Sequence, residues 1–269
     1  MKQILTFTLA IAMLSGVLDG KAQNAGAGKG NSFYLNFKGG IGVARCVDRS
    51  IIPYSFSGLT TGFNGGFTDE WKRCHIQFDF QWSKTFLSEP SGTMHCFVPK
   101  LEFLYSCLKP SESRWHFWSG ASVSSIVDFK SIPALQNAQA TLSLFGNFAA
   151  EELVQCDFAY DKKDKSHPWM TAYFRFSLPL FTVASRPGYA YVHDPLGETH
   201  ALRILMNSNE TSFKMFPGYA TDWGLTVNLR NGNRISFGHS VSFLTTGKKS
   251  VYRYDNILST TYIQFLFKI

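Results

Sequence analysis

His75, Asp79, Glu102 and His116 are the side chains best suited to proton transfer, because an imidazole beside a carboxylate can serve as a general acid–base pair. A nucleophile to complete such a site is not signalled. No serine stands in a G-x-S-x-G turn, the context that exposes a strained hydroxyl to a neighbouring base. His75 and His116 also fall near the starts of β-type segments beside short turns, away from a rim where a surface substrate would arrive. A second cluster, Tyr189, Tyr191, His193 and Asp194 with Glu198 and His200, carries metal-type donors at close spacing. It lies on a long polar connection, where such residues more commonly bind a protein partner or face water. The five cysteines (Cys46, Cys74, Cys96, Cys107 and Cys156) are odd in number and lack C-x-x-C spacing, so neither a disulfide framework nor a zinc site is signalled. The expectation is a protein with no catalytic residues, no metal and no cofactor.

The elements that must position these residues show themselves through alternation. From Arg73 to Ser83, Cys74, Ile76, Phe78, Phe80 and Trp82 fall on one side and Arg73, His75, Gln77, Asp79 and Gln81 on the other. From Trp169 to Leu180, Met170, Ala172, Phe174, Phe176, Leu178 and Leu180 oppose Trp169, Thr171, Tyr173, Arg175 and Ser177. The last segment puts Thr261, Ile263, Phe265, Phe267 and Ile269 on one face and Thr260, Tyr262, Gln264, Leu266 and Lys268 on the other. Similar segments span Phe33–Val43, Tyr54–Phe67, Trp71–Phe86, Met94–Cys107, Arg114–Val127, Phe145–Tyr160, Trp169–Val183, Tyr219–Arg230, Arg234–Thr245 and Leu258–Ile269. This gives about ten strands, with eight to twelve compatible with the spacing. The sixth is the weakest, since Phe148–Val154 reads nearly as well as a helix and the alternation slips at Glu151 and Glu152.

Connections of alternating length follow the same order. Short links fall at Thr68–Glu70, Lys109–Ser113 and the Asn231-Gly232 hairpin signal, and longer ones at Cys46–Pro53, Lys130–Leu144, Ala184–Gly218 and Gly247–Ile257. An even strand number with long loops at one end and tight turns at the other fits an up-and-down antiparallel β-barrel that crosses a membrane. Trp71, Trp82, Trp115, Trp169, Tyr219 and Tyr262, read as outward residues near strand ends, would form its interfacial girdle.

At the N-terminus Lys2, an apolar run from Ile4 to Leu18, and Gly20 and Ala22 at the cleavage positions read as a secretory signal over residues 1–22. Residues 23–31 then form a polar arm, and 32–269 form the barrel. No later apolar run is long enough for a membrane-spanning helix. The formal charge of +7 is scattered along an exported chain, which argues against nucleic acid and suits contact with anionic lipid and lipopolysaccharide.

The C-terminal strand, with Ile263, Phe265, Phe267 and Ile269 on one face, resembles the signal by which outer-membrane proteins are recognised for barrel insertion. Its last residue is isoleucine where that family most often has phenylalanine. The short leader followed by Gln23-Asn24 resembles those of Bacteroidota. The resemblance to small outer-membrane β-barrels implies residence in the outer membrane of a Gram-negative cell, delivery by the barrel-assembly machinery, and contact with other outer-membrane or surface proteins.

On the enclosed face the pattern gathers Lys38, Arg73, His75, Asp79, Lys100, Glu102, Arg114, His116, Asp157, Arg175, Asp222 and Arg230. In a narrow barrel such charges must pair with one another, so a self-satisfied plug is expected. That favours a non-enzymatic scaffold or accessory subunit of an outer-membrane assembly, secretion or uptake complex. A narrow porin-like channel for small solutes and an outer-membrane hydrolase of lipid or peptide are the alternatives.

Overall fold

The computed structural model describes residues 32–49, 55–71, 73–88, 91–106, 114–134, 140–160, 168–187, 209–247 and 253–269. The segments read as signal peptide and arm lie outside them. So do Cys107, Tyr189, Tyr191, His193, Asp194, Glu198 and His200.

Eleven strands form in chain order. They are β1 (Ser32–Asp48), β2 (Ser55–Glu70), β3 (Cys74–Leu87), β4 (Gly92–Ser106), β5 (Trp115–Ser131), β6 (Ala140–Tyr160), β7 (Pro168–Pro187), β8 (Asn209–Met215), β9 (Gly218–Asn228), β10 (Arg234–Thr246) and β11 (Tyr254–Lys268). Consecutive strands pair antiparallel except β8 with β9, and β1 pairs with β11 from Tyr34↔Lys268 to Asp48↔Tyr254, closing the sheet on itself. β8 and β9 are two parts of one barrel stave. β8 pairs with the upper half of β7 (Phe181↔Met215) and β9 with its lower half (Ser177↔Ala220). Phe216, at φ 47°, and Pro217 break the stave between them. The fold is therefore a closed antiparallel barrel of ten staves, in which β8 alone among the described strands has a single partner.

The sixth segment, ambiguous between strand and helix in the sequence, is an unbroken strand, with Glu151 turned inward and buried and Glu152 exposed. The alternation along β7 has a real defect. Phe148 faces Phe181 but Ala149 faces Pro179, so Leu180 is an extra residue. Below this bulge Tyr173, Arg175 and Ser177 make lumenal contacts. Above it Thr182, Ala184 and Arg186 are the buried residues, so Leu180 does not continue the outward row expected for it.

Turn lengths alternate less than the sequence suggested. The β3–β4 connection is confined to 88–91, while 107–114 joins β4 to β5 on the opposite end. β7 ends and β8 begins at the end of the barrel away from Ser32 and Ile269, so residues 188–208 connect two strands at that end.

Most strands outrun the roughly 9–11 residues that a tilted strand needs to cross a bilayer. β1 has 17 residues and β6 has 21. The surplus projects at the far end, where the wall turns polar on β1 and β2 while Ile257 on β11, Val183 on β7 and Phe213 on β8 stay exposed and apolar. Along β1 the outward residues Phe33, Leu35, Phe37, Ile41 and Val43 are exposed and apolar, followed by exposed Arg45. Ser57 faces Arg45 across the pair, and exposed Ser55 follows on β2. Inside, the order is opposite. Asn36 and Lys38 give way to Ala44, Cys46, Phe56, Leu87, Met94, Ile132, Phe145, Ala184 and Tyr254, which form the buried apolar cluster of the molecule. Where the wall faces hydrocarbon, polar groups hide inside. Where it faces water, the ordinary hydrophobic effect restores an apolar core.

Candidate functional site

Inward positions on neighbouring strands meet in three layers across the lumen. At the end nearest the termini, the Arg234 guanidinium donates two bonds of 2.8 Å to Glu70 and one of 2.9 Å to the Tyr34 hydroxyl, while His75 lies 3.8 Å from Glu70. Beside them His116 Nε2 lies 3.1 Å from Asp157, which accepts a 2.6 Å bond from Thr171.

The middle layer is the densest. Lys100 sits between Glu102 (2.8 Å) and Glu151 (2.7 Å), and Arg175 approaches Glu102 at 3.2 Å. Glu151 also accepts bonds from Ser122 (2.6 Å) and Ser177 (2.9 Å). Asn36 donates to Asp79 at 2.9 Å and Gln77 donates to its other oxygen. Across the lumen Lys38 reaches Asp222 at 3.3 Å, with its ammonium 3.3 Å from the centre of the Tyr262 ring. The Tyr262 hydroxyl donates to Asp222 and shares a short bond with Tyr173. These rings fit because the adjacent wall is glycine: a Cβ at Gly238 would lie 2.5 Å from both hydroxyls.

At the far end Lys130 lies 2.5 Å from Asp128 and 3.2 Å from Asp48, and Arg186 also binds Asp48. Tyr254 donates to Asp128 and offers its ring to Lys130 and Arg186, each 4.8 Å from the centroid. All these groups are almost fully buried beside the apolar cluster. Buried charges of this kind persist only when each is paired and its remaining bonding capacity met.

Of the lumenal residues read from the alternation, Lys38, His75, Asp79, Lys100, Glu102, His116, Asp157, Arg175 and Asp222 come together in these layers. Arg73, Arg114 and Arg230, read as lumenal, lie outside the strands. All three are exposed in turns at the end nearest the termini, and Arg73 reaches the Tyr105 hydroxyl at 3.4 Å. Tyr262, placed in the outer girdle from its position near a strand end, is 3% exposed and faces the lumen. Its parity with Gln264, and not its place along the strand, decides its direction. Trp115 and Tyr219 do stand exposed on the wall, as do Phe265, Phe267 and Ile269 of the terminal strand.

The sequence reading missed Glu151, Asp48, Asp128, Lys130, Arg186, Glu70 and Arg234. Glu151 was hidden by the helix-like run around it. Asp48, Lys130 and Arg186 fell beyond the strand ends Val43, Val127 and Val183 read from the alternation. Extending the same parity a few residues further would have found them.

The pairing of His75 with Asp79 or Glu102 considered from the sequence is not the contact the structure gives, and the two imidazoles have different partners. His75 is held by Gln77 at 3.2 Å and by Glu70, and His116 by Asp157. No serine or threonine contact completes either as a nucleophile–base pair among the described residues: Thr171 donates to Asp157 and so orients the carboxylate. Among the described residues no group of three His, Cys, Asp or Glu side chains is placed to hold a metal ion.

No family model matches the chain, and no curated protein matches it in sequence. Solved structures match in shape. The outer membrane protease OmpT from Escherichia coli superposes with a TM-score of 0.51 at 7% identity, over 90% of this chain and 98% of that one. Neisserial surface protein A matches with a TM-score of 0.34 at 13% identity, over 88% and 98%. Outer membrane protein OprG from Pseudomonas aeruginosa matches with a TM-score of 0.32 at 10% identity, over 88% and 96%. At such identities the likeness is one of architecture. The OmpT superposition, with the closed sheet and its apolar outer wall, gives this chain the fold of an outer-membrane β-barrel.

Proposed function

We propose that this outer-membrane barrel is a sealed scaffold or accessory subunit that works through its outer wall and extracellular face, with no solute path and no catalysis in its lumen. The observation that carries this reading is the filling of the far end. Phe56, Phe145 and Tyr254 are each at most 1% exposed and close around the Asp48–Lys130–Asp128 cluster, beneath which two further layers of paired charge cross the barrel. Bare apolar side chains offer a permeating ion no replacement for its hydration shell.

The partners that suit this reading are membrane lipid and lipopolysaccharide, the insertion machinery during assembly, and neighbouring outer-membrane or surface proteins. The test is electrical. Purified barrel inserted into a planar bilayer should give no steady unitary current. Reproducible conductance steps from folded protein would refute the sealed reading in favour of a narrow channel. Co-purification in mild detergent then identifies the assembly it serves.

A further inference from the structure

The outer wall carries a polar arrangement that a lipid-facing surface does not need. On β10 the outward row Phe237, His239, Val241, Phe243 contains one imidazole, and on β11 the outward row Ile257, Ser259, Thr261, Ile263 contains two hydroxyls. His239 pairs directly with Thr261, and Ser259 with Val241. This register brings Ser259 Oγ to 3.1 Å from His239 Nε2 and Thr261 Oγ1 to 2.9 Å from His239 Nδ1. The indole of Trp223 lies against the imidazole with ring centroids 5.0 Å apart and restrains it.

With Nδ1–H donated to Thr261, Nε2 is left as the acceptor for the Ser259 proton. That tautomer and order are those of an activated serine, in which a third group orients the base and the base faces the nucleophile. Ser259 also lines a groove in the wall of about 600 Å³. The sides of the groove are Val43, Leu59, Phe86 and Ile257, and Arg45 lies on it. Arg45 is the first charge met along β1 above the apolar band, and Ser259 pairs with Val43, one outward position lower. A phospholipid has its phosphate at the water boundary, its ester carbonyls just inside and its chains beyond. Arg45, then Ser259, then the exposed Ile41, Ile263 and Phe265 lower on the same two strands are arrayed in that order.

We propose that Ser259, His239 and Thr261 form an acyl-transfer site on the membrane-facing wall that takes a glycerophospholipid from the bilayer, with Arg45 receiving its phosphate. Ser259 Oγ attacks the ester carbonyl as His239 Nε2 takes the hydroxyl proton. The carbon–oxygen bond to glycerol breaks, and the proton passes from His239 to the departing alkoxide, releasing lysophospholipid and leaving the acyl chain on Ser259. Water from the headgroup region, deprotonated by His239, then releases the fatty acid and regenerates the serine. Ser259 and His239 are the catalytic residues and Thr261 is a positioning residue. The proposal goes beyond the scaffold reading, which concerns the lumen, and conductance and lipolysis test the two separately.

The full chain should be folded into vesicles of phosphatidylethanolamine and phosphatidylglycerol and the lipids followed by mass spectrometry, with a fluorophosphonate probe reporting on the serine. The expected result is equal release of fatty acid and lysophospholipid, with the probe attached to Ser259. Ser259→Ala and His239→Asn should each lower release by about 100-fold or more, the scale of a lost nucleophile or general base. Both changes lie on the lipid face, and heat-dependent gel mobility confirms that each variant remains a closed barrel. Thr261→Val should lower kcat about tenfold with KM unchanged, and Thr261→Ser should restore it. Absence of release or of labelling in folded wild type, or release that persists in Ser259→Ala, overturns the proposal.

Discussion

Lys100→Met tests whether the lumen is held by matched charge. The Lys100 ammonium is the bridge between Glu102 and Glu151, at 2.8 and 2.7 Å, and those carboxylates are 1% and 0% exposed. After the substitution Glu102 keeps Arg175 at 3.2 Å, but Glu151 keeps the hydroxyls of Ser122 and Ser177 and only the longer-range attraction of Arg175. Removing one partner from a buried pair leaves an uncompensated charge and costs about 3–5 kcal/mol. For a chain of this size that corresponds to a fall in Tm of roughly 6–20 °C. Lys100→Met combined with Glu151→Leu removes both charges, and replacing a whole buried pair by apolar groups is close to neutral, within about 1–2 kcal/mol. Thermal unfolding in one detergent, followed by loss of heat-dependent gel mobility and by circular dichroism, should rank wild type and the double variant together above the single variant. A single variant within about 1 kcal/mol of wild type, or a double variant no better than the single, would refute the argument that pairing holds this layer.

The outer wall and the glycine floor give further tests in the same assay. Phe37→Arg puts a charge in the middle of the apolar row on β1 and should cost about 2–4 kcal/mol in vesicles, the penalty for arginine at a bilayer midplane. Gly238→Val drives a side chain into the Tyr173 and Tyr262 hydroxyls, 2.5 Å from the added Cβ, and should cost about 1–3 kcal/mol while breaking their contact with Asp222. Gly232→Ala, at φ +85° in the β9–β10 turn, should cost about 1 kcal/mol or more without any change in the lumen, since it adds backbone strain and a Cβ 2.7 Å from Lys268 Cδ, whose flexible side chain must move aside.

Alternation made the barrel legible because lipid outside and charge inside give each strand an unambiguous period of two. Cys74, Ile76, Phe78 and Phe80 against His75, Gln77 and Asp79 is the clearest instance, and all seven face as read. The same signal fails where its physical cause changes. Above the bilayer the apolar side turns inward, so Cys46, Phe56 and Phe145 no longer look like a continuation of a lipid-facing row. The strand read from the alternation stops at Val43 and loses Asp48. At Leu180 one added residue shifts the parity of β7, which no periodicity can register in advance. The wall cluster was illegible for another reason. His239, Ser259 and Thr261 are on different strands, and only the register of β10 with β11 brings them together.

The inversion of polarity along the axis also separates two functions that a narrower reading of the lumen would merge. If the ion-pair layers alone closed the barrel, Lys100→Met would both destabilise it and let ions through. The apolar cluster above them predicts otherwise, because Phe145 and Tyr254, 4.8 Å apart between ring centres, close the far end independently of Lys100. Phe145→Ala should cost about 3–5 kcal/mol from the cavity it leaves. Phe145→Ala with Tyr254→Ala should add a steady current in planar bilayers, since Lys130 and Arg186 then lose the ring that lies against both and water can reach them. Lys100→Met should remain silent in the same recordings. Current in Lys100→Met, or silence in a folded Phe145→Ala/Tyr254→Ala barrel, would move the seal away from the far end and return the middle layer to the centre of any account of what this barrel admits.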